Sequence, residues 1–161
     1  MINILYNLKG GRIMWIFKTY PSWAPIFARF TLGIIFFAHG SQKLFGWFGG
    51  SGLSGTIQMF EQHLGISAAL AILVMIAEFL GGIAIILGFF TRIAALGLAI
   101  DMLVAIFKVH LQHGFFMNWF NVPNMGHGVE YNLALIGLSL SLLVWGAGNL
   151  SVDQMIAGEK K

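Results

Sequence analysis

Three ionisable side chains interrupt stretches that are otherwise apolar: Arg29 in "RFTLGIIFFAHG", Glu78 in "ILVMIAEFLGGIAIILGFF" and Asp101 in "GLAIDMLVAIF". A charge at the centre of a membrane span costs about 2.5–3.5 kcal/mol on insertion scales, so such residues face the bundle interior and find partners there. Helical spacing places Glu78 on one face with Ala71, Met75, Gly81 and Gly82. It places Asp101 with Ala94, Gly97, Ala105 and Lys108, and Arg29 in a stripe with Gly33, Phe36, Gly40 and Lys43. Small residues mark the faces along which membrane helices approach most closely. The three charges are therefore expected to converge as a proton and charge cluster of Arg29, Glu78 and Asp101. One arginine neutralises one carboxylate. The expected pair is Arg29 with Glu78, the long arginine bridging an offset of roughly 7–8 Å along the bundle axis. Asp101 is then a candidate general acid, because an unpaired carboxylate in a low-dielectric interior exchanges a proton rather than holding its charge. The structural alternatives are that Arg29 snorkels to the interface and that both acids only fix helix register.

The elements that must position these groups follow from composition. Hydrophobic residues make up 58% of the 161 and charged residues only 9%, against roughly a quarter charged in a soluble domain. Apolar segments at residues 24–45, 66–90, 92–111 and 130–147 approach the roughly 20 residues that span a bilayer as a helix. No strand-period alternation occurs, and lipid admits only helices or closed barrels. The expected fold is a single all-α integral membrane domain over residues 1–161, a four-transmembrane-helix bundle. Residues 1–23 form an interfacial N-terminal segment and 148–161 a tail. Lys9, Arg12, Lys18, Arg92, Lys160 and Lys161 fall on one side, and only Lys43 and Lys108 lie near the other. The positive-inside rule then puts both termini in the cytoplasm of a multi-pass protein of the bacterial inner membrane. The segment "IMWIF" is too short for a signal-peptide core and no cleavage site follows it.

The net charge of +3 is accounted for by these anchors, and no basic patch with interleaved aromatics suggests nucleic acid. Membrane lipid is the expected acidic partner. With no cysteine in the chain, thiol catalysis and thiolate-held iron–sulfur clusters are excluded. The spacing in "GSGLSG", residues 50–55, matches a dinucleotide fingerprint, but a membrane helix precedes it where a strand is required, so a flexible outer loop is expected. The following "SGTIQMFEQHLG" puts Ile57, Phe60 and Leu64 on one face, as an interfacial helix would. Aromatic residues in "FGWFGG" and around Trp119 suit an interfacial belt. Alternatively they roof an apolar pocket for a flat ring such as a quinone head group, and the candidate substrate contacts are His39, Lys43, Trp47 and Trp119. His110 with His113, and His127 with Glu130, are each three residues apart and are weak candidates for zinc, iron or haem. In the tail, Ser151 with Gln154 fits a capping box, and Asp153 is expected to favour the same helix N-terminus.

The stretches "RFTLGIIFFAHGSQKLFG", "AEFLGGIAIILGFFTRIAAL", "GVEYNLAL" and "GAGNLSVD" together resemble the DoxX family of small bacterial membrane proteins across about residues 24–155. The resemblance implies a four-span inner-membrane protein associated with membrane oxidoreductases, including a subunit of a thiosulfate:quinone oxidoreductase and proteins linked to quinone or thiol stress. The family-like positions are Arg29, Gly40, Lys43, Glu78, Gly81, Gly82, Gly88, Arg92, Glu130, Gly146, Ser151 and Asp153; Asp101, His110 and His113 lie outside the pattern. The expected function is a component of a membrane oxidoreductase that handles a quinone or another small hydrophobic redox molecule, with electrons carried by a soluble or membrane partner. A proton-linked transporter and a non-catalytic assembly subunit are the alternatives, and self-association is left open.

Overall fold

The computed structural model describes residues 15–157. The basic residues Lys9, Arg12, Lys160 and Lys161, and most of the expected interfacial N-terminal segment, lie outside the described residues. All regular structure among them is helical. Helix α1 (Ala24–Phe45) leads through a glycine-rich turn to α2 (Gly52–Met59), which continues as a π turn over Phe60–Leu64. Helix α3 (Ala68–Leu87) is followed by α4 (Thr91–Ala105), itself prolonged by a π turn and a 3-10 turn as far as His113. A loop then leads to α5 (Glu130–Trp145) and a short α6 (Val152–Ala157). Among the described residues three helices, Ala24–Phe45, Ala68–Leu87 and Thr91–His113, are long and apolar enough to cross a membrane. The fourth is apolar but shorter. Its 16 residues reach about 24 Å, against roughly 30 Å of hydrocarbon.

Helices α1 and α3 pack most intimately, and three glycines make this contact. A Cβ on Gly40 would overlap the Phe79 backbone, one on Gly82 would overlap the Phe37 backbone, and one on Gly33 would come within 2.8 Å of the Gly82 carbonyl oxygen. The bundle closes as a ring, with α3 on α4, α4 on α5 and α5 on α1. Its larger apolar core gathers Leu32, Phe36, Ile85, Ala95, Leu98, Leu135 and Leu142 from all four helices. A smaller cluster of Phe60, Ala71 and Met75 lies under α2, with Ile57 and Leu64 packed against it. The face expected to rest on the membrane interface is thus turned onto the bundle. The "GSGLSG" stretch, expected as a loop, already enters α2 at Gly52. Large apolar side chains such as Phe27, Ile34, Leu73, Leu80, Leu96 and Phe107 point outward, as lipid-facing residues do.

At the Arg29 end the tail is fixed to the bundle by polar contacts. Asp153 accepts hydrogen bonds from the backbone N–H groups of Phe90 (2.8 Å) and Thr91 (2.9 Å). It therefore caps α4 rather than its own helix, and Asp153 N–H in turn donates to the Gly88 carbonyl. Burial pushes the Asp153 carboxyl above its ordinary range, against the pull of those N–H donors and of the Arg29 guanidinium. Gly88 ends α3 in the left-handed conformation at φ 65°. Ser151 Oγ accepts from Gln154 N–H at 3.2 Å, the backbone half of the expected capping box.

Candidate functional site

Arg29 is 2% exposed and does not reach Glu78. Its guanidinium donates to the carbonyls of Ile85 (3.1 Å) and Ile86 (2.7 Å) at the end of α3, and to those of Ala147, Asn149 and Leu150 (3.1–3.2 Å) in the turn after α5. The expected Arg29–Glu78 pair is corrected by helix register. Because α1 and α3 run antiparallel with Gly33 against Gly82 and Ile86, Arg29 faces the terminal carbonyls of α3, which a helix leaves without internal donors.

Glu78 pairs with Lys43 instead. Gly40 lies against Phe79, so Lys43, one turn further along α1, arrives beside Glu78. The carboxylate is 2% exposed, whereas the lysine is 25% exposed. Only Oε1 of Glu78 is engaged by Lys43; Oε2 is buried, and no N–H group among the described residues reaches it. The same holds for Oδ2 of Asp101 on α4, and the Asp101 and Glu78 carboxyl groups lie close enough to share a hydrogen bond.

These groups line one cavity of about 520 Å³, within the range of small-molecule sites. Phe36, Val74, Met102, Val104, Ala105 and Leu135 supply apolar wall from α1, α3, α4 and α5, and Met59, Phe60 and Leu64 supply it from α2 and its π turn. His39, Lys43, Glu78, Asp101 and Asn132 add polar groups. Lys108, His110 and His127 line the cavity as well. His110 Nδ1–H donates to the His127 carbonyl at 2.8 Å, and His127 Nδ1 accepts from Asn118 N–H at 3.2 Å. Because its Nδ1 accepts, His127 carries its ring proton on Nε2.

Of the residues singled out in the sequence, the structure thus brings His39, Lys43, Glu78, Asp101, His110 and His127 to one cavity. It does not bring Arg29, Trp47 or Trp119 there. Trp47 packs at a tilt against Phe45 and meets Phe37 edge-on, and is 52% exposed. Trp119 is 73% exposed in the loop before α5. The spacing of the metal candidates is not realised as a ligand set. His113 lies beside Gly126, Glu130 accepts from Met117 N–H at 3.0 Å, and no group of three or more His, Asp or Glu suited to a metal occurs among the described residues. Sequence reasoning missed Asn132, which is 4% exposed and whose amide donates only to the Met102 sulfur, at 3.4 Å, among the described residues. The signal was an amide in the first turn of an apolar helix.

The DoxX family model matches residues 24–111. The chain is 31% identical over 133 residues to CatD of Bacillus subtilis (strain 168), a protein provisionally named an oxidoreductase, with 83% of this chain and 87% of that protein covered. It is also 31% identical over 134 residues to the inner membrane protein YqjF of Escherichia coli (strain K12), covering 80% of this chain and 88% of that one. No solved structure gives a significant match.

Proposed function

The chain belongs to the DoxX family and is a multi-pass inner-membrane protein, and from that premise we propose that it is a component of a membrane oxidoreductase that binds a quinone or a similar small hydrophobic redox molecule. The observation that carries this reading is the cavity of about 520 Å³, apolar on its walls and lined by Lys43, Glu78 and Asp101 on its polar side. A quinone ring is flat, apolar and polar only at its oxygens, so walls and polar side match its two kinds of surface. Reduction takes two electrons and two protons per quinone. The electrons come from a redox partner protein, and Asp101 and Glu78 are the groups placed to pass protons to the ring oxygens. Lys43 holds the Glu78 carboxylate in place and steadies negative charge that develops on a ring oxygen.

All four long helices are membrane spans in this reading, with α5 the shortest and both termini in the cytoplasm, so that the cavity lies toward the outer face. The apolar core around Leu32, Ile85, Leu98 and Leu142 fills the bundle between the cavity and the Arg29 end. A packed core in that position supports a binding pocket over a permeation path. The test is mass spectrometry of small molecules that co-purify with the protein in native lipid, comparing wild type with Ala105→Trp, which fills the cavity. The reading expects a quinone enriched over bulk lipid in wild type and lost in Ala105→Trp. Equal quinone content in both proteins contradicts it.

A further inference from the structure

Glu78 on α3 and Asp101 on α4 are brought level by the packing of their helices. A Cβ on Gly81 would lie 3.2 Å from the Leu98 side chain, so Gly81 faces Leu98 where the two helices touch. The turn at Gly88 makes α3 and α4 antiparallel, and one turn back along α3 and one turn on along α4 Glu78 meets Asp101. Their carboxyl groups are close enough to share a hydrogen bond. Oε2 of Glu78 and Oδ2 of Asp101 are both buried, and no N–H group among the described residues reaches either. An ionised carboxylate only accepts, so two carboxyl groups bonded to each other hold a proton between them. That one proton gives both buried oxygens a partner. It also balances the charge, because Lys43 offsets one carboxylate and the other lysine on the cavity, Lys108, is exposed and turns its Nζ to the Leu64 carbonyl at 3.3 Å.

We propose that Glu78 and Asp101 form a single proton-binding site, a carboxyl dyad that bridges α3 and α4 with one shared proton and passes it to the ligand in the cavity. The dyad stands on the packing of α3 against α4; the transfer rests on the reading of the cavity as a redox-ring site. In the transfer the dyad's O–H bond breaks and the proton bonds to a ring oxygen of the quinone, while the redox partner protein supplies the electrons. Both carboxyl groups are then ionised beside one Lys43. Their repulsion drives uptake of the next proton from water, which meets the cavity at its rim, where His39, Lys108 and His127 are exposed. Two such loadings supply the two protons that full reduction takes with its two electrons. Neither acid is a donor by itself, so removing either one removes the proton.

The experiment is infrared difference spectroscopy of the full chain in lipid nanodiscs at pH 7, in H2O and D2O, with wild type, Glu78→Gln and Asp101→Asn. Each substitution keeps the side-chain shape and sets an amide N–H against the carboxyl that remains. The proposal expects one protonated-carboxyl band in wild type that is lost in both variants, because the remaining acid accepts from the amide and ionises beside Lys43. Asp153→Ala, at the other end of the bundle, should leave that band in place. A band that survives in either folded variant assigns the proton to a single acid and overturns the proposal. A wild type with no protonated-carboxyl band beyond one that Asp153→Ala removes also overturns it, and that arm needs no variant of the dyad. Saturating decyl-benzoquinone should shift the wild-type band. A band that both variants lose but the quinone leaves unmoved overturns the transfer and the redox-ring reading on which it rests, and leaves the dyad standing.

Discussion

The two ends of the bundle each turn a basic side chain from α1 inward, Arg29 buried and Lys43 half-buried, yet they treat it in opposite ways. At one end Arg29 spends its donors on five backbone carbonyls from two separate chain segments, and Asp153 nearby accepts from two backbone N–H groups. At the other, Lys43 and Glu78 form a pair that leaves one carboxylate oxygen without an N–H donor among the described residues, beside an aspartate in the same condition and against a cavity. Both arrangements put charge in an apolar bundle. The satisfied one joins helix ends and the tail into one rigid unit. The unsatisfied one keeps hydrogen-bonding capacity for something that enters.

The sharpest way to break this comparison is to remove Arg29. Arg29→Met strands five carbonyls at once, and hydrogen bonds to a charged group are worth about 1.5–3 kcal/mol each. The expected loss is at least about 3 kcal/mol, read as a collapse of folded yield and thermal stability in detergent. Arg29→Lys should not rescue it, since an ammonium lacks the planar fork that serves both segments.

A smaller effect separates the two candidate partners of Glu78. In a double-mutant cycle on stability, Lys43→Met with Glu78→Gln should show a coupling of about 0.5–3 kcal/mol, whereas Arg29→Met with Glu78→Gln should be additive within about 0.5 kcal/mol. Coupling of the second pair and not the first would restore the pairing expected from sequence. Smallest is the cap on α4. Asp153→Ala removes the acceptor of Phe90 and Thr91 N–H and should lower stability by about 0.5–2 kcal/mol, measured by thermal unfolding, without changing any property of the cavity.

How far these features could be read from the sequence depends on whether they are local or relational. The bounds of α1, 24–45, follow from apolar length between Pro25 and Gly46, and Gly88 marks the end of α3 by its left-handed backbone. That the acids occupy small-residue faces was equally plain. The pairing was not, because it depends on register between helices. Arg29 and Lys43 lie in one stripe of α1, and helical spacing alone does not say which of them lies level with Glu78. The glycines that set the register, Gly33 and Gly40 against Gly82 and Phe79, become informative only once the two helices are laid antiparallel. The role of Asp153 was hidden for a similar reason. Its position in the first turn of α6 fits a cap for that helix, and only the fold of the tail brings it to Thr91. Asn132 was passed over because a single amide near a helix start carries no spacing pattern.

The claim that one end of the bundle is a built structural joint and the other a ligand site has a direct test, made clean by the absence of cysteine from the chain. Single cysteines replace Asp101, on the cavity, and Ala95, which is 0% exposed in the apolar core toward the other end. Each protein in nanodiscs is treated with a small methanethiosulfonate reagent, with and without a saturating decyl-benzoquinone. The account predicts that Asp101→Cys reacts, that the quinone slows its reaction at least fivefold, and that Ala95→Cys stays unreactive throughout. Reaction at Asp101→Cys that the quinone leaves unchanged, or equal reaction at both positions, would contradict it.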